Sequence, residues 1–251
     1  MRPSDLMYIA LKAGEIMLRS GAEIYRVEET IVRICESYGV RCESFVLPTG
    51  IFISLVDDKG RTNTAFMRIR DRKVDLTSID RVNSLSRRIQ KSHPDFEGVL
   101  RELEEIENVE RHSFSVRLAA TGLGSLAFTL LFQGSLYDSI TALIIGCISY
   151  LAKEILTRKG LFLFLENLIA GLVTGFLSTA AVNLFPLLDG YKIIIGSILM
   201  YLPGVLITNS IKDALYGDLV ASMTRLGEAI LTVTVLVAGV GIALFICANR
   251  R

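Results

Sequence analysis

Apolar and polar residues are distributed unevenly along the chain. From about residue 116 onward, apolar residues form five runs of roughly 20 residues, and at about 1.5 Å rise per residue a helix of this length crosses the apolar core of a bilayer. The runs lie at residues 116–133, 136–156, 161–185, 191–215 and 227–248. The buried helical core of a large soluble protein is the alternative, but such a core needs amphipathic helices around it. The pattern therefore predicts a membrane α-helical fold with five transmembrane helices in residues 116–251.

In residues 1–115 the apolar residues recur at the spacing of amphipathic helices and short strands. This pattern predicts an α+β domain that precedes the spans. Residues 4–19 have apolar positions at helical spacing with Ser4 as a candidate N-cap. A second amphipathic helix follows Gly21 and ends at Gly39. Gly60 can adopt a positive φ, so residues 57–60 favour a hairpin turn. The remaining predicted elements are strands at residues 42–48, 50–57 and 61–69, and helices at residues 76–91 and 96–108.

Charge divides the chain at the same place. Residues 1–115 hold 18 of the 27 Lys and Arg and 19 of the 26 Asp and Glu, so the remaining 136 residues are poor in charge. The basic residues assigned to the second and fourth connections between spans are Lys153, Arg158, Lys159, Lys212 and Arg225. The other two connections hold only Lys192. By the positive-inside rule, the α+β domain is expected in the cytoplasm, although Arg250 and Arg251 would then face outward, against the rule.

The fourth apolar run combines a helix break with polar groups. Pro203 cannot donate a backbone hydrogen bond and Gly204 lets the chain turn, so a half-helix that begins there would expose free N–H groups and a positive dipole end. Asn209, Lys212 and Asp213 then share one helix face, and transporters commonly bind an anionic substrate group at such a place. A proline kink followed by an amphipathic helix emerging into the cytoplasm is the alternative, and it needs no function for these residues.

Two further polar residues lie inside the third apolar run. Glu166 and Asn167 are about one and a half turns from its start, and polar residues in a span are costly enough to mark a candidate functional site. For Glu166, extension of the side chain to the cytoplasmic interface is an equal alternative. Gly171 and Gly175 form a GxxxG pattern, whose expected role is close helix packing.

A charged cluster opens the second predicted helix. Its members are Glu23, Arg26, Glu28 and Glu29. Their spacing allows i,i+3 ion pairs, so we interpret the cluster as a solvated helix face.

The residues give little support to an enzyme. Neither His93 nor His112 lies near a carboxylate pair with metal-ligand spacing, and Cys35 and Cys42 are farther apart than zinc ligands usually are. This sequence contains no nucleophile-elbow, phosphate-loop or HExxH motif. We therefore expect no catalytic site, no metal and no cofactor. A membrane-anchored cytoplasmic enzyme and a sensor or scaffold domain are the alternatives to a transporter.

The odd number of predicted spans points to a partner. Two similar units of five spans face the membrane in opposite senses, which is the inverted arrangement of many secondary transporters. We therefore expect a second subunit or a homo-oligomer to complete a pathway. No nucleic-acid partner is expected.

Four stretches of the chain resemble the threonine/serine exporter (ThrE) family, specifically the YjjP-like N-terminal subunit that pairs with a separate YjjB-like small membrane protein. They are GAEIYRVEETI, GIFISLVDDKGRTNTAFMRI, DRVNSLSRRI and LPGVLITNSIKDALYGDLVASMTRLGEA. In the last stretch the matching positions are Pro203, Gly204, Asn209, Asp213, Gly217 and Arg225. One departure is Ala221 or Ser222, where relatives tend to have a glycine.

The resemblance implies an inner-membrane exporter of small polar carboxylates. One branch of the family exports threonine and serine, and the branch with two separate proteins exports succinate-like dicarboxylates. Because nothing in the chain resembles an ATPase, we expect coupling to an ion or proton gradient. Together with the polar face described above, the candidate substrate-binding residues are Thr208, Asn209, Lys212, Asp213 and Glu166, with a helix break at Pro203 and Gly204.

Overall fold

The fold is taken from a computed structural model, which describes residues 1–56, 60–108 and 112–249. The described residues are mostly helical. Four helices among them are long and apolar enough to cross a membrane, and a fifth span results if two shorter helices separated by a break count as one. The chain thus has the features of a membrane α-helical protein with four or five spans.

The chain divides into two compact units. Unit 1 contains Met1–Glu110 and Gly204–Gly227, and unit 2 contains Arg111–Pro203 and Glu228–Arg251. The sequence assigned all residues from 116 onward to one membrane domain. In the structure, Gly204–Gly227 instead belongs with the N-terminal residues, because buried polar contacts described below hold it there.

Unit 1 begins with two helices and an antiparallel sheet. The helices are α1 (Pro3–Arg19) and α2 (Ile24–Ser37), which bury the apolar stripes that their sequences predict. The strands β1 (Arg41–Leu47), β2 (Gly50–Val56) and β3 (Thr62–Arg68) lie in the order β1-β2-β3. Alternation along β2 sends every second side chain into a core shared with α1 and α2.

Two further helices of unit 1 start at aspartate caps. In α3 (Leu76–Ser92), the Asp75 side chain accepts a hydrogen bond from the Ser78 backbone N–H at 3.1 Å. In α4 (Phe96–Glu107), Asp95 accepts one from the Gly98 N–H at 3.2 Å. Such caps satisfy N–H groups that have no partner inside the helix, which fixes where each helix begins.

Two sequence predictions in unit 1 have different outcomes. Ser4 as N-cap is wrong, because α1 begins at Pro3 and Arg2 is the N-cap residue. Proline suits the first helical position, since its φ is already helical and its missing N–H leaves nothing unpaired. Residues 57–59 of the predicted hairpin turn lie outside the described residues, while Gly60 has the expected positive φ of 74°.

Unit 2 consists of helices. They are α5 (Phe114–Leu131), α6 (Leu136–Arg158), α7 (Leu163–Leu184), α8 (Gly190–Ile198) and most of α10 (Leu219–Ala248). A capping box formed by Ser135 and Asp138 starts α6, and in it Asp138 Oδ2 accepts a hydrogen bond from the Ser135 N–H. Asp138 Oδ1 accepts a hydrogen bond from the Asp189 N–H at 2.8 Å. This contact ties the segment before α8 to the first turn of α6.

Helices α7 and α10 approach each other at glycines. A Cβ atom added to Gly171 would overlap the Leu236 carbonyl oxygen, and one added to Gly239 would overlap the Leu168 carbonyl oxygen. The packing role expected for Gly171 and Gly175 is therefore confirmed, with Gly175 against Ala243.

Four basic residues assigned to connections lie inside helices. Lys153 and Arg158 are in α6, Lys212 is in α9 (Gly204–Leu215) and Arg225 is in α10. The helix that contains the last candidate span begins at Leu219, eight residues before the predicted start of that span at residue 227. The physical reason is a tight turn at Gly217, whose φ of 93° reverses the chain within residues 216–218. The terminal Arg250 and Arg251 lie outside the described residues.

We predict that Gly239→Ala lowers the thermal stability of the detergent-solubilised chain, because the added methyl group has no room against α7. Overpacking costs about 1–3 kcal/mol. Gly241→Ala is the matched control, since Gly241 is on the same helix and has open space at its Cβ position. Equal melting temperatures of the two variants, measured by size-exclusion chromatography after heating, would contradict the close approach.

Candidate functional site

The predicted helix break is present. α8 is followed by one turn of 3-10 helix at Leu199–Tyr201, and Leu202 then takes extended backbone angles before Pro203. α9 begins at the next residue, Gly204. The first N–H groups of a helix have no intrahelical acceptor, so the N-terminus of α9 carries a partial positive charge.

A cavity of about 490 Å³ lies in unit 1 beside this helix end. α9 lines it from one side, while the corner between α1 and α2 and the first turn of α3 line it from the others. The side chains on its wall include Glu23, Arg26, Leu76, Ile79, Thr208, Asn209 and Lys212. The cavity thus combines an apolar floor from α3 with charged and hydroxyl groups from α2 and α9.

Two cations face one carboxylate in the cavity wall. Lys212 Nζ lies 2.8 Å from Glu23 Oε1, and Arg26 Nε lies 3.1 Å from Glu23 Oε2. Glu23 is only 6% exposed, whereas the side chain of Lys212 is 42% exposed. Burial alone raises the pKa of the Glu23 carboxyl group, but hydrogen bonds from Lys212 and the backbone and the charge of Arg26 bring this pKa below its ordinary value.

Asp213 is buried and binds the α1–α2 corner. Its Oδ1 accepts a hydrogen bond from the Ile24 backbone N–H at 3.0 Å, and its Oδ2 lies 3.3 Å from Arg225 Nε. Both side chains are almost fully buried, at 0% and 3% exposure. An ion pair in such a place persists only if its remaining groups are also satisfied.

Arg225 and Asn209 complete the attachment to this corner. The guanidinium group of Arg225 donates to the Ala22 carbonyl oxygen at 2.7 Å, and the Asn209 amide donates to the Gly21 carbonyl oxygen at 2.7 Å. Gly21 has a φ of 84°, which favours glycine there. Together with Lys212 and Asp213, these contacts engage all four residues of the corner, 21–24.

The turn between α9 and α10 has its own contacts. Ser210 Oγ donates to the Ser222 carbonyl oxygen at 2.9 Å, and the Asp218 N–H donates to the Asp213 carbonyl oxygen at 2.8 Å. The Tyr25 and Tyr216 rings stack with centroids 3.8 Å apart. Ala221 and Ser222, the two candidate positions for the glycine of the family pattern, both lie in α10 and do not form the turn.

The five predicted substrate-binding residues do not form one cluster. Thr208, Asn209 and Lys212 line the cavity, although the Thr208 hydroxyl donates to the Gly204 carbonyl oxygen of its own helix. Asp213 is engaged behind the cavity with Arg225 and the Ile24 N–H. Glu166 belongs to unit 2, where it is 5% exposed.

Sequence reasoning misjudged Glu23. The solvated-face interpretation of the α2 cluster is wrong for this residue, because Glu23 is buried and pairs with Lys212 in addition to the expected partner Arg26. The sequence contained one indication of a structural role for Glu23. It directly precedes α2, and an acidic residue is stabilising at a helix N-terminus. Its partner Lys212 is 189 residues away along the chain, so no local pattern could reveal it.

Comparison with known proteins places the chain in a family. A model of the ThrE family, described as "Putative threonine/serine exporter", matches residues 8–247, which is nearly the whole chain. The chain belongs to the threonine/serine exporter family. No solved structure matches it.

Two curated relatives carry the same description. The "Threonine/serine exporter" of Corynebacterium glutamicum is 24% identical over 96% of this chain and 51% of its own length. The "Probable threonine/serine exporter" of Mycobacterium tuberculosis is 24% identical over 94% of this chain and 45% of its own length. The chain therefore spans about half the length of the curated relatives that it matches.

We predict that Arg225→Met strongly destabilises unit 1, because it leaves the buried Asp213 carboxylate without its cation. Breaking a buried pair costs about 3–5 kcal/mol, equivalent to a fall in melting temperature on the order of 10 °C. Arg101→Met, at an exposed position of α4, is the matched control. If both variants melt in detergent at the wild-type temperature, the attachment described above is wrong.

The lowered pKa of Glu23 predicts a pH dependence of stability. A carboxyl group whose folded-state pKa is depressed stabilises the fold fully above its unfolded pKa, and this contribution is lost as the pH falls through the folded value. The advantage of wild type over Glu23→Gln in melting temperature should thus be constant at neutral pH and shrink below the ordinary glutamate pKa of 4.5. Glu104→Gln, which removes an exposed carboxylate of α4, is the control. An advantage that is independent of pH would contradict the assignment.

Proposed function

We propose that the chain is a subunit of an inner-membrane secondary transporter that exports small polar carboxylates, either threonine and serine or succinate-like dicarboxylates. Membership of the exporter family and the apolar helices support this proposal. In this proposal the N-terminal part, an α+β domain, lies in the cytoplasm. The transporter moves its substrate without chemical change.

The cavity at the start of α9 is the observation that carries the proposal. It holds Lys212 and Arg26 against the single carboxylate of Glu23, and the positive end of α9 adds to the excess of positive charge. A substrate carboxylate can therefore replace Glu23 as the partner of Lys212, whose side chain is partly exposed. Thr208 and Asn209 offer polar groups on the same wall for a hydroxyl or amino group.

We assign different roles to the polar residues of α9. Lys212, Thr208 and Asn209 contact the substrate, since they line the cavity. Asp213 is a positioning residue, because its carboxylate holds the Ile24 N–H and Arg225 and thereby fixes α9 against the cavity wall. Loss of Asp213 is expected to impair assembly as well as export.

The partner proposal rests on length and on the number of spans. The chain matches about half of each curated relative and has at most five candidate spans among its described residues. A second five-span unit of inverted orientation would complete a pathway. We propose a YjjB-like small membrane protein for this role, with a homo-oligomer as the other arrangement.

Export assays test the function directly. Cells that lack both the chain and its proposed YjjB-like partner are complemented with the chain alone, with the partner alone or with both. The release of threonine, serine and succinate is followed over time. We expect release to rise above the uncomplemented level when both are present. No rise for any of these substrates would contradict the proposed function.

We predict that Lys212→Gln lowers export without loss of assembly. A charge-assisted hydrogen bond contributes about 1.5–3 kcal/mol, so the initial rate at low substrate concentration should fall at least about tenfold. Lys91→Gln, which removes an exposed lysine of α3, is the matched control. Unchanged export by Lys212→Gln at normal protein level would remove this residue from the substrate site.

A further inference from the structure

A second group of charged and polar side chains lies in unit 2, where α6 leads into α7. Lys153 Nζ donates a hydrogen bond to Asn167 Oδ1 at 2.9 Å and lies 5.3 Å from the centre of the Tyr201 ring. Glu166 directly precedes Asn167 in α7. Glu166 and Asn167 are 5% and 1% exposed, whereas Lys153 is half-buried. A buried carboxylate and a buried amide therefore lie beside a half-buried cation in this unit.

The packing of the helices does not require these groups. α7 meets α10 through Gly171, whose nearest neighbours are backbone atoms of α10. Burying charged groups adds little stability compared with apolar side chains of similar size. Ionisable residues within spans are rare because they are costly in a bilayer, and they commonly mark a substrate or ion pathway.

The buried polar face continues along α7. Thr174 and Ser178 follow Asn167 at distances of seven and eleven residues, which places all three on one side of the helix. The hydroxyl groups of Ser149 in α6 and Thr174 are 2.9 Å apart and hydrogen-bonded. At 1.5 Å per residue, the face extends about 17 Å from Asn167 to Ser178.

Ser178, the last residue of this polar face, lines a cavity. Its side chain is fully buried, and its Oγ has no hydrogen-bond partner among the described residues. It lines a cavity of about 400 Å³ together with Tyr191 of α8 and Cys247 of α10. Because buried hydroxyl groups are nearly always hydrogen-bonded, this one fits a place that a polar ligand visits.

We propose, resting on the transport function above, that Lys153, Glu166 and Asn167 bind a small zwitterion at the start of a path along α7 that ends in the cavity at Ser178. The carboxylate of an α-amino acid matches Lys153 and Asn167, and its ammonium group matches Glu166. A dicarboxylate adds two negative charges to a group whose own charges cancel, because Lys153 and Glu166 are its two charged members. The cavity in unit 1 accepts any small carboxylate, whereas this second site selects amino acids.

Two charge-removing variants test the selection by the direction of their effects. Inside-out membrane vesicles are prepared from cells of the source organism, in which any natural partner is present, after replacement of the chromosomal copy. Initial rates of radiolabelled threonine and succinate uptake are then compared. Glu166→Gln leaves the site positive and should lower the threonine-to-succinate rate ratio at least about tenfold. Lys153→Gln leaves it negative and should lower both rates but raise the ratio, since the dicarboxylate is repelled more strongly.

The controls separate this site from a structural role. Glu154→Gln removes a neighbouring carboxylate of α6 that instead pairs with Arg117 and Arg158, and it should leave the ratio unchanged. Glu166→Asp keeps the charge and should also keep the ratio. Parallel loss of both rates in Glu166→Gln and Lys153→Gln, with the ratio unchanged, would overturn the site but not the transport function. Wild-type vesicles that take up neither substrate faster than vesicles lacking the chain would overturn both.

Discussion

The buried ion pair between Asp213 and Arg225 organises unit 1. Both side chains are nearly inaccessible, so each needs a partner for every polar atom, and the corner between α1 and α2 supplies two of them through the Ile24 N–H and the Ala22 carbonyl oxygen. Two charges buried together are costly unless such hydrogen bonds are made. The pair therefore fixes the α9–α10 turn against this corner and rejects other arrangements in which the charges would lose their partners.

The cavity depends on this attachment. Asn209 and Lys212 lie on the same side of α9 as Asp213, and they reach Gly21 and Glu23 of the same corner. The break at Pro203 lets α9 begin as a new helix with its N-terminus at the cavity wall. A chain segment that is apolar enough to count as half of a span thus becomes part of unit 1. This placement explains why the sequence around Asp213 combines hydrophobic and charged residues.

The sequence predicted the elements well where one residue type decides the outcome. Apolar length revealed the candidate spans, and Pro203 revealed the break, because proline cannot continue a helix's hydrogen bonds. Contacts between distant residues could not be predicted, and Asp213 and the Ile24 N–H are 189 residues apart. Lys153 was assigned to a connection by its charge, although α6 continues to Arg158 and Lys153 donates a hydrogen bond to Asn167 of α7. The substrate roles of Asn209 and Lys212 stay predictions.

Hydrogen exchange at the Ile24 amide tests the central claim most directly, because this amide donates to the Asp213 carboxylate. Exchange measured by mass spectrometry on the detergent-solubilised full chain should show slow exchange in peptides that cover the α1–α2 corner. In Asp213→Leu, which removes both carboxylate oxygens, the same peptides should exchange much faster, while peptides from α4 keep the wild-type rate. Unchanged slow exchange at the corner in Asp213→Leu would contradict the account.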